Sequence, residues 1–105
     1  MNDRILSLLG LMRRAGRLTL GFDAVCDSVK KGDSSLVVTA KDISDGSLRK
    51  LRNNLDGLGT EIVGIPYAME DIGAALSKKV RIISINDSGF AERLMQLLQT
   101  GNGEE

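Results

Sequence analysis

Arg13-Arg14-Ala15-Gly16-Arg17-Leu18-Thr19-Leu20-Gly21-Phe22-Asp23 is the stretch on which the fold turns. Upstream of it, Ile5, Leu8, Leu9 and Met12 repeat at helical spacing, so a first helix ends at Gly16 with Arg13 and Arg14 in its last turn. Cations suit the negative end of the helix dipole there. Leu18 to Leu20 leaves room only for a short strand. From Gly21 onward, Phe22, Val25, Cys26 and Val29 recur at i, i+3, i+4 and i+7, the mark of a second amphipathic helix that ends at Lys30-Lys31-Gly32. Helix, strand and helix are thus joined by two glycine turns.

The same alternation runs through the rest of the chain. Leu36-Val37-Val38-Thr39-Ala40 is continuous and apolar, as in a strand buried on both faces. Asp42 or Ser44 can cap a third helix with a Leu48, Leu51 and Leu55 stripe, broken at Gly57 and Gly59. Glu61 to Ile65 reads as another strand, ended by Pro66. Glu70 and Asp71 suit the first turn of a helix over Met69 to Leu76. Val80 to Ile85 is the last strand, and Asn86-Asp87-Ser88-Gly89 opens a helix carrying Phe90, Leu94, Leu97 and Leu98. Gly101 to Glu105 is expected to be a disordered tail behind a single domain over residues 1–100. Such alternation predicts an α/β helix–sheet–helix sandwich with at least part of the sheet parallel. In sheets of this kind ligands gather beyond the carboxyl ends of the strands. The loops expected there are Gly21-Phe22-Asp23, Ala40-Lys41-Asp42 and Ile65-Pro66-Tyr67.

Composition removes whole classes of chemistry. With no histidine, histidine general-base catalysis and histidine zinc sites are excluded. A lone Cys26 excludes an internal disulfide framework, and burial as a small hydrophobe is its expected state. No phosphate-binding glycine motif or nucleophile elbow occurs, so no enzyme is expected, and no catalytic residue, cofactor or metal. Asp42, Asp45 and Asp87 read as helix caps rather than metal ligands. No stretch is apolar enough to span a bilayer or resembles a secretion signal, so a cytoplasmic protein and no membrane partner are expected, with a monomer as the oligomeric state.

Net charge is zero but unevenly spread: residues 1–31 hold six basic and three acidic residues, residues 32–105 eight and eleven. This permits a basic face on a neutral protein. Backbone N–H groups at a helix start, a glycine that admits close approach, and guanidinium groups nearby suit a phosphate backbone. The candidates are Arg13, Arg14, Arg17, Gly21, Lys30, Lys31 and Lys41. Each also has a plainer reading: Gly21 as a turn residue with positive φ, Lys30-Lys31 as helix-end cations.

In order and spacing, Leu8-Leu9-Gly10-Leu11, Arg14-Ala15-Gly16, Leu20-Gly21-Phe22-Asp23, Leu36-Val37-Val38-Thr39-Ala40-Lys41-Asp42 and Asp87-Ser88-Gly89-Phe90-Ala91 resemble the kink-turn RNA-binding ribosomal protein family, in its small bacterial YlxQ-like branch. The resemblance spans roughly residues 4–98. It implies a three-layer α/β/α sandwich around a four-stranded mixed sheet, and a partner of structured RNA, ribosomal RNA included. The family's Gly-x-Asn-Glu-x-x-Lys motif falls on Gly21, Asp23, Ala24 and Asp27. Gly21 alone is unchanged; Ala24 lacks the carboxylate and Asp27 reverses the charge. The family's apolar loop, which holds bulged nucleotides, falls on Ile65, Pro66 and Tyr67. Phe22 and Tyr67 are aromatic candidates for base stacking, although Phe22 also belongs to the apolar stripe. The competing expectation is a protein-interaction module on the same fold.

Overall fold

In the computed structural model, residues 3–99 are described, and the expected tail from Gly101 lies outside them. The elements are helix α1 (Arg4–Arg14), strand β1 (Leu18–Leu20), α2 (Phe22–Lys30), β2 (Leu36–Thr39), α3 (Asp45–Leu55), β3 (Ile62–Gly64), α4 (Met69–Leu76), β4 (Ile82–Ile85) and α5 (Ser88–Gln99).

The sheet runs β1-β4-β2-β3. β2 and β3 are parallel, whereas β4 is antiparallel to both of its neighbours. It follows that β1, β2 and β3 all point one way and β4 points back. One edge of the sheet is the row Leu18, Ile85 and Leu36; at the other, Thr39 pairs with both Ile82 and Gly64.

β2 is buried at all four positions because helices cover both faces. Leu36, Val38, Ile83 and Ile85 point to one side, where they meet Ile5, Leu9 and Met12 of α1, Ile72 and Leu76 of α4, and Leu94 of α5. On the other side Val37 and Ile82 meet Val25, Cys26 and Val29 of α2 and Leu51 and Leu55 of α3. These layers make the α/β/α sandwich around a mixed four-stranded sheet. The core is aliphatic, and each fully buried Leu or Ile contributes roughly 1.5–3 kcal/mol of transfer free energy.

Local chemistry explains most element ends. Ser44, not Asp42, caps α3: its hydroxyl accepts from the Ser47 N–H at 3.0 Å. Asp87 Oδ1 caps α5 by accepting from the Phe90 N–H at 2.9 Å. Asp71 reaches back to accept from the Ala68 N–H at the start of α4, at 3.1 Å. α1 and α2 close in the same way. Gly16 and Gly32 adopt φ of 74° and 82°, and the following residues donate into the helix, Arg17 N–H to Met12 O and Asp33 N–H to Ser28 O, both at 3.0 Å.

Candidate nucleic-acid interface

The reversal of β4 gives the sheet two unlike ends. The carboxyl ends of β1, β2 and β3 share one edge of the sheet with the start of β4. We refer to this as the loop end. Backbone hydrogen bonds stitch it together: Gly21 N–H donates to Ile82 O at 3.0 Å, Ala40 N–H to Arg81 O at 2.9 Å, and Lys41 N–H to Tyr67 O at 2.8 Å. The three loops expected to converge are therefore neighbours.

Gly21 caps α2 with φ 97° and ψ 155°, a region that essentially only glycine occupies. No side chain caps this helix, so the amides of Phe22, Asp23 and Ala24 lie at its open, positive end. Asp23 and Ala24 are exposed. Lys41 is exposed and makes no ion pair among the described residues. Pro66 is exposed and Tyr67 half-buried, its hydroxyl donating to Asp3. Ile65 differs from its neighbours: it is only 2% exposed and packs in the core beneath the loop. The surface of that loop is Pro66 and Tyr67. Phe22 is half-buried against the α2–α3 core, and the Lys50 ammonium lies 5.9 Å from its ring centroid, so its outer face is already attended by a cation.

Asp42 ties this end together. Its carboxylate accepts from the Met69 N–H at 3.1 Å and pairs with Arg81 Nε at 3.4 Å, joining the ends of β2 and β3 to the start of β4. Lys79, paired with Glu70 at 3.2 Å, and Arg81, paired with Asp42, also stand at the loop end. Sequence reasoning missed both, since only the antiparallel run of β4 puts its beginning beside the ends of the other strands.

Arg13, Arg14, Arg17, Lys30 and Lys31 are elsewhere. Arg17 precedes β1, and its carbonyl accepts from the Asn86 N–H at 2.8 Å, at the opposite edge of the sheet from Gly21. The carboxyl ends of α1 and α2 lie at this far end too. Arg17 and Gly21 therefore lie at opposite ends of β1 rather than side by side, because the intervening strand extends the chain. Arg17 approaches Asp87 at 3.8 Å and Lys31 approaches Asp27 at 3.1 Å, both exposed enough to contribute at most about 1 kcal/mol each.

A polar network locks the far end. Asn86 Nδ2 donates to Thr19 Oγ1 at 2.8 Å, while its Oδ1 accepts from Ser28 at 3.1 Å and from Ser84 at 2.7 Å. Ser84, fully buried, also lies 2.7 Å from the Ser34 hydroxyl. Strands β1 and β4 and helix α2 are thereby bonded to one amide. Burial pushes the Cys26 thiol up from its ordinary range. Among the described residues, no group of three or more His, Cys, Asp or Glu residues could hold a metal ion, and no helix is long and apolar enough to cross a membrane.

Comparison with known proteins places this geometry. The model of the ribosomal protein L7Ae/L30e/S12e/Gadd45 family matches residues 3–95. The chain is 27% identical over 96 residues to the RNA-binding protein YlxQ of Bacillus subtilis, spanning 87% of this chain and 91% of that protein. It is 22% identical to its namesake in Enterococcus faecium, spanning 92% and 93%. Among solved structures, a protein of unknown function from Bacillus halodurans superposes with a TM-score of 0.82 at 28% identity, over 93% of this chain and 99% of that one. The Giardia lamblia 15.5kD RNA binding protein shares the fold, with a TM-score of 0.69 at 18% identity, over 95% and 89%.

Proposed function

Because the chain belongs to the ribosomal protein L7Ae/L30e/S12e/Gadd45 family, we propose that it is a non-catalytic RNA-binding protein that receives structured RNA at its loop end. The observation that carries this reading is the stitching of three strand-ending loops around Gly21, Lys41 and Tyr67. The open amides of α2 face a phosphate with the helix dipole behind them. Gly21 lets the backbone approach. Lys41 neutralises an adjacent phosphate, and Pro66 and Tyr67 cover splayed bases, which stack readily on such surfaces.

In this reading the RNA is a kink-turn or a similarly bent element, ribosomal RNA among the candidates, and the protein works as a cytoplasmic monomer. Asp23 accepts a hydrogen bond but offers no amide donor. The Ala24 side chain offers neither donor nor acceptor, and Asp27 is an anion held by Lys31. Backbone geometry and loop shape therefore contribute more to recognition than the reading of base edges.

The test is binding to a kink-turn RNA and to an unkinked duplex of equal length across a salt series. The expected result is at least tenfold tighter binding of the kinked form. Lys41→Ala should flatten the dependence of log K on log salt by about 0.9, one phosphate contact. Equal, weak binding to both RNAs would remove this reading and leave a protein-interaction module on the same fold.

A further inference from the structure

We propose that Lys50 and Phe22 form a preset phosphate contact at the loop end: the Phe22 ring holds the Lys50 ammonium at the start of α2, where it meets the RNA backbone, and Phe22 itself stacks on no base. The inference rests on the RNA-binding reading above and names a contact within that site. Lys50, on α3, is exposed, and its ammonium lies over the Phe22 ring, 5.9 Å from the centroid. Phe22 is the first residue of α2 and follows Gly21, whose N–H is bonded to Ile82 O at the loop end. A cation carried by α3 is thereby held beside the open end of α2.

A lysine over an aromatic ring is common on protein surfaces. Charge and counter-ions set this one apart. Helix α2 carries Asp23 and Asp27 against Lys30 in its last turn, whereas α3 carries Arg49, Lys50 and Arg52 against Asp45. Of the two helices that flank the entry, α3 is the positive one. Lys50 thus supplies, across the helix pair, the cation that α2 lacks near its start. Asp27 is already paired with Lys31. Neither Asp23, next to Phe22 in the chain, nor Lys50 has an ion pair among the described residues. The ammonium keeps its charge for an anion from outside.

The seat is fixed before RNA arrives. Phe22 packs against a cluster in which Val25 of α2 and Leu51 of α3, the residue after Lys50, are wholly buried. The ring and the root of the lysine therefore hold one relative position, and less side-chain freedom is lost when the contact forms. A lysine acts on phosphate as a point charge with three donors, so the ammonium can stay over the ring while it bonds a phosphate oxygen. The ring face that a base would use is taken by the ammonium. Phe22 is in this way a support for a backbone contact, and stacking is left to Pro66 and Tyr67.

The experiment measures binding of the protein to a kink-turn RNA by fluorescence anisotropy across a salt series. Lys50→Gln should bind about fivefold more weakly at about 0.1 M salt, with a slope of log K on log salt smaller by about 0.9, one phosphate contact. Lys50→Arg keeps the charge and stacks on a ring, so it should retain the wild-type slope. Phe22→Leu should weaken binding about threefold alone, and by less than about 1.5-fold when added to Lys50→Gln, because the ring acts through the ammonium. Thermal melts establish that each variant is folded. An unchanged slope in Lys50→Gln, or a Phe22→Leu loss of equal size in both backgrounds, overturns the proposal; the second result would make Phe22 a base-stacking residue. Either result leaves the loop-end reading standing as long as the wild type prefers the kinked RNA to an unkinked duplex. A wild type without that preference removes the reading, and this proposal with it.

Discussion

The two ends of one small sheet are held by different chemistry. Backbone bonds among Gly21, Ile82, Ala40, Arg81, Lys41 and Tyr67 stitch the loop end. At the far end, Asn86 bonds the side chains of Thr19, Ser28 and Ser84. Ala24 and Asp27 take no part in the loop-end stitching, which rests on the backbone, on Gly21 and on the Asp42 carboxylate. That explains how Ala24 and Asp27 stand on an intact scaffold in a motif that elsewhere in the family carries a carboxylate and a cation. The far end has the opposite property: its surface cations are replaceable, but the amide beneath them is not.

The largest expected effect is at the far end. Asn86→Ala leaves the buried Ser84 and Ser28 hydroxyls short of a partner, and should lower stability by about 2–3 kcal/mol. In a domain of this size that is a fall of about 10 °C or more in Tm by calorimetry. An unchanged Tm would break the contrast between the ends. Next is Gly21→Ala. A Cβ there meets no atom within 4 Å, so the cost is backbone strain alone, about 1–3 kcal/mol, accompanied by loss of RNA binding.

Smaller effects sharpen the comparison. Asp27→Lys removes an anion from the α2 surface and should tighten RNA binding about threefold at low salt with little change in Tm, as read by fluorescence anisotropy. No change would mean that this face of α2 points away from the RNA. The smallest concerns Cys26, which is buried and has its thiol pushed up by that burial. Alkylation at pH 8 should be slow in the native protein and fast in guanidinium.

Most of the fold was legible because each stripe of aliphatic residues has one period and one exit. Leu36 to Ala40 reads as a doubly covered strand, and Leu36–Thr39 forms one. The candidate site was legible only in part. Gly21, Lys41 and Tyr67 could be grouped by the rule that ligands meet strand ends, and the backbone bonds among their loops support the grouping. Arg17 and Gly21 are four positions apart, and nearness in sequence suggested nearness in space. A strand is the most extended local structure, and here four residues run from one end of the short sheet to the other. Lys79 and Arg81 were overlooked because the direction of β4 depends on pairing with β1 and β2, which no local pattern encodes. Ile65 closes an apolar run and packs inward as the run's last buried residue, while Pro66 stays outside. Asp42 carries the composition of a helix cap, yet it ties Met69 and Arg81, contacts that exist only after folding.

The central claim is that structured RNA enters at the loop end. Amide chemical-shift mapping with a short kink-turn RNA tests it most directly. The account predicts that the amides of Phe22, Asp23, Ala24, Lys41 and Tyr67 shift most, and that those of Gly16, Arg17 and Lys31 shift least. Shifts confined to Gly16, Arg17 and Lys31 with the short RNA, or none at either end, would contradict it.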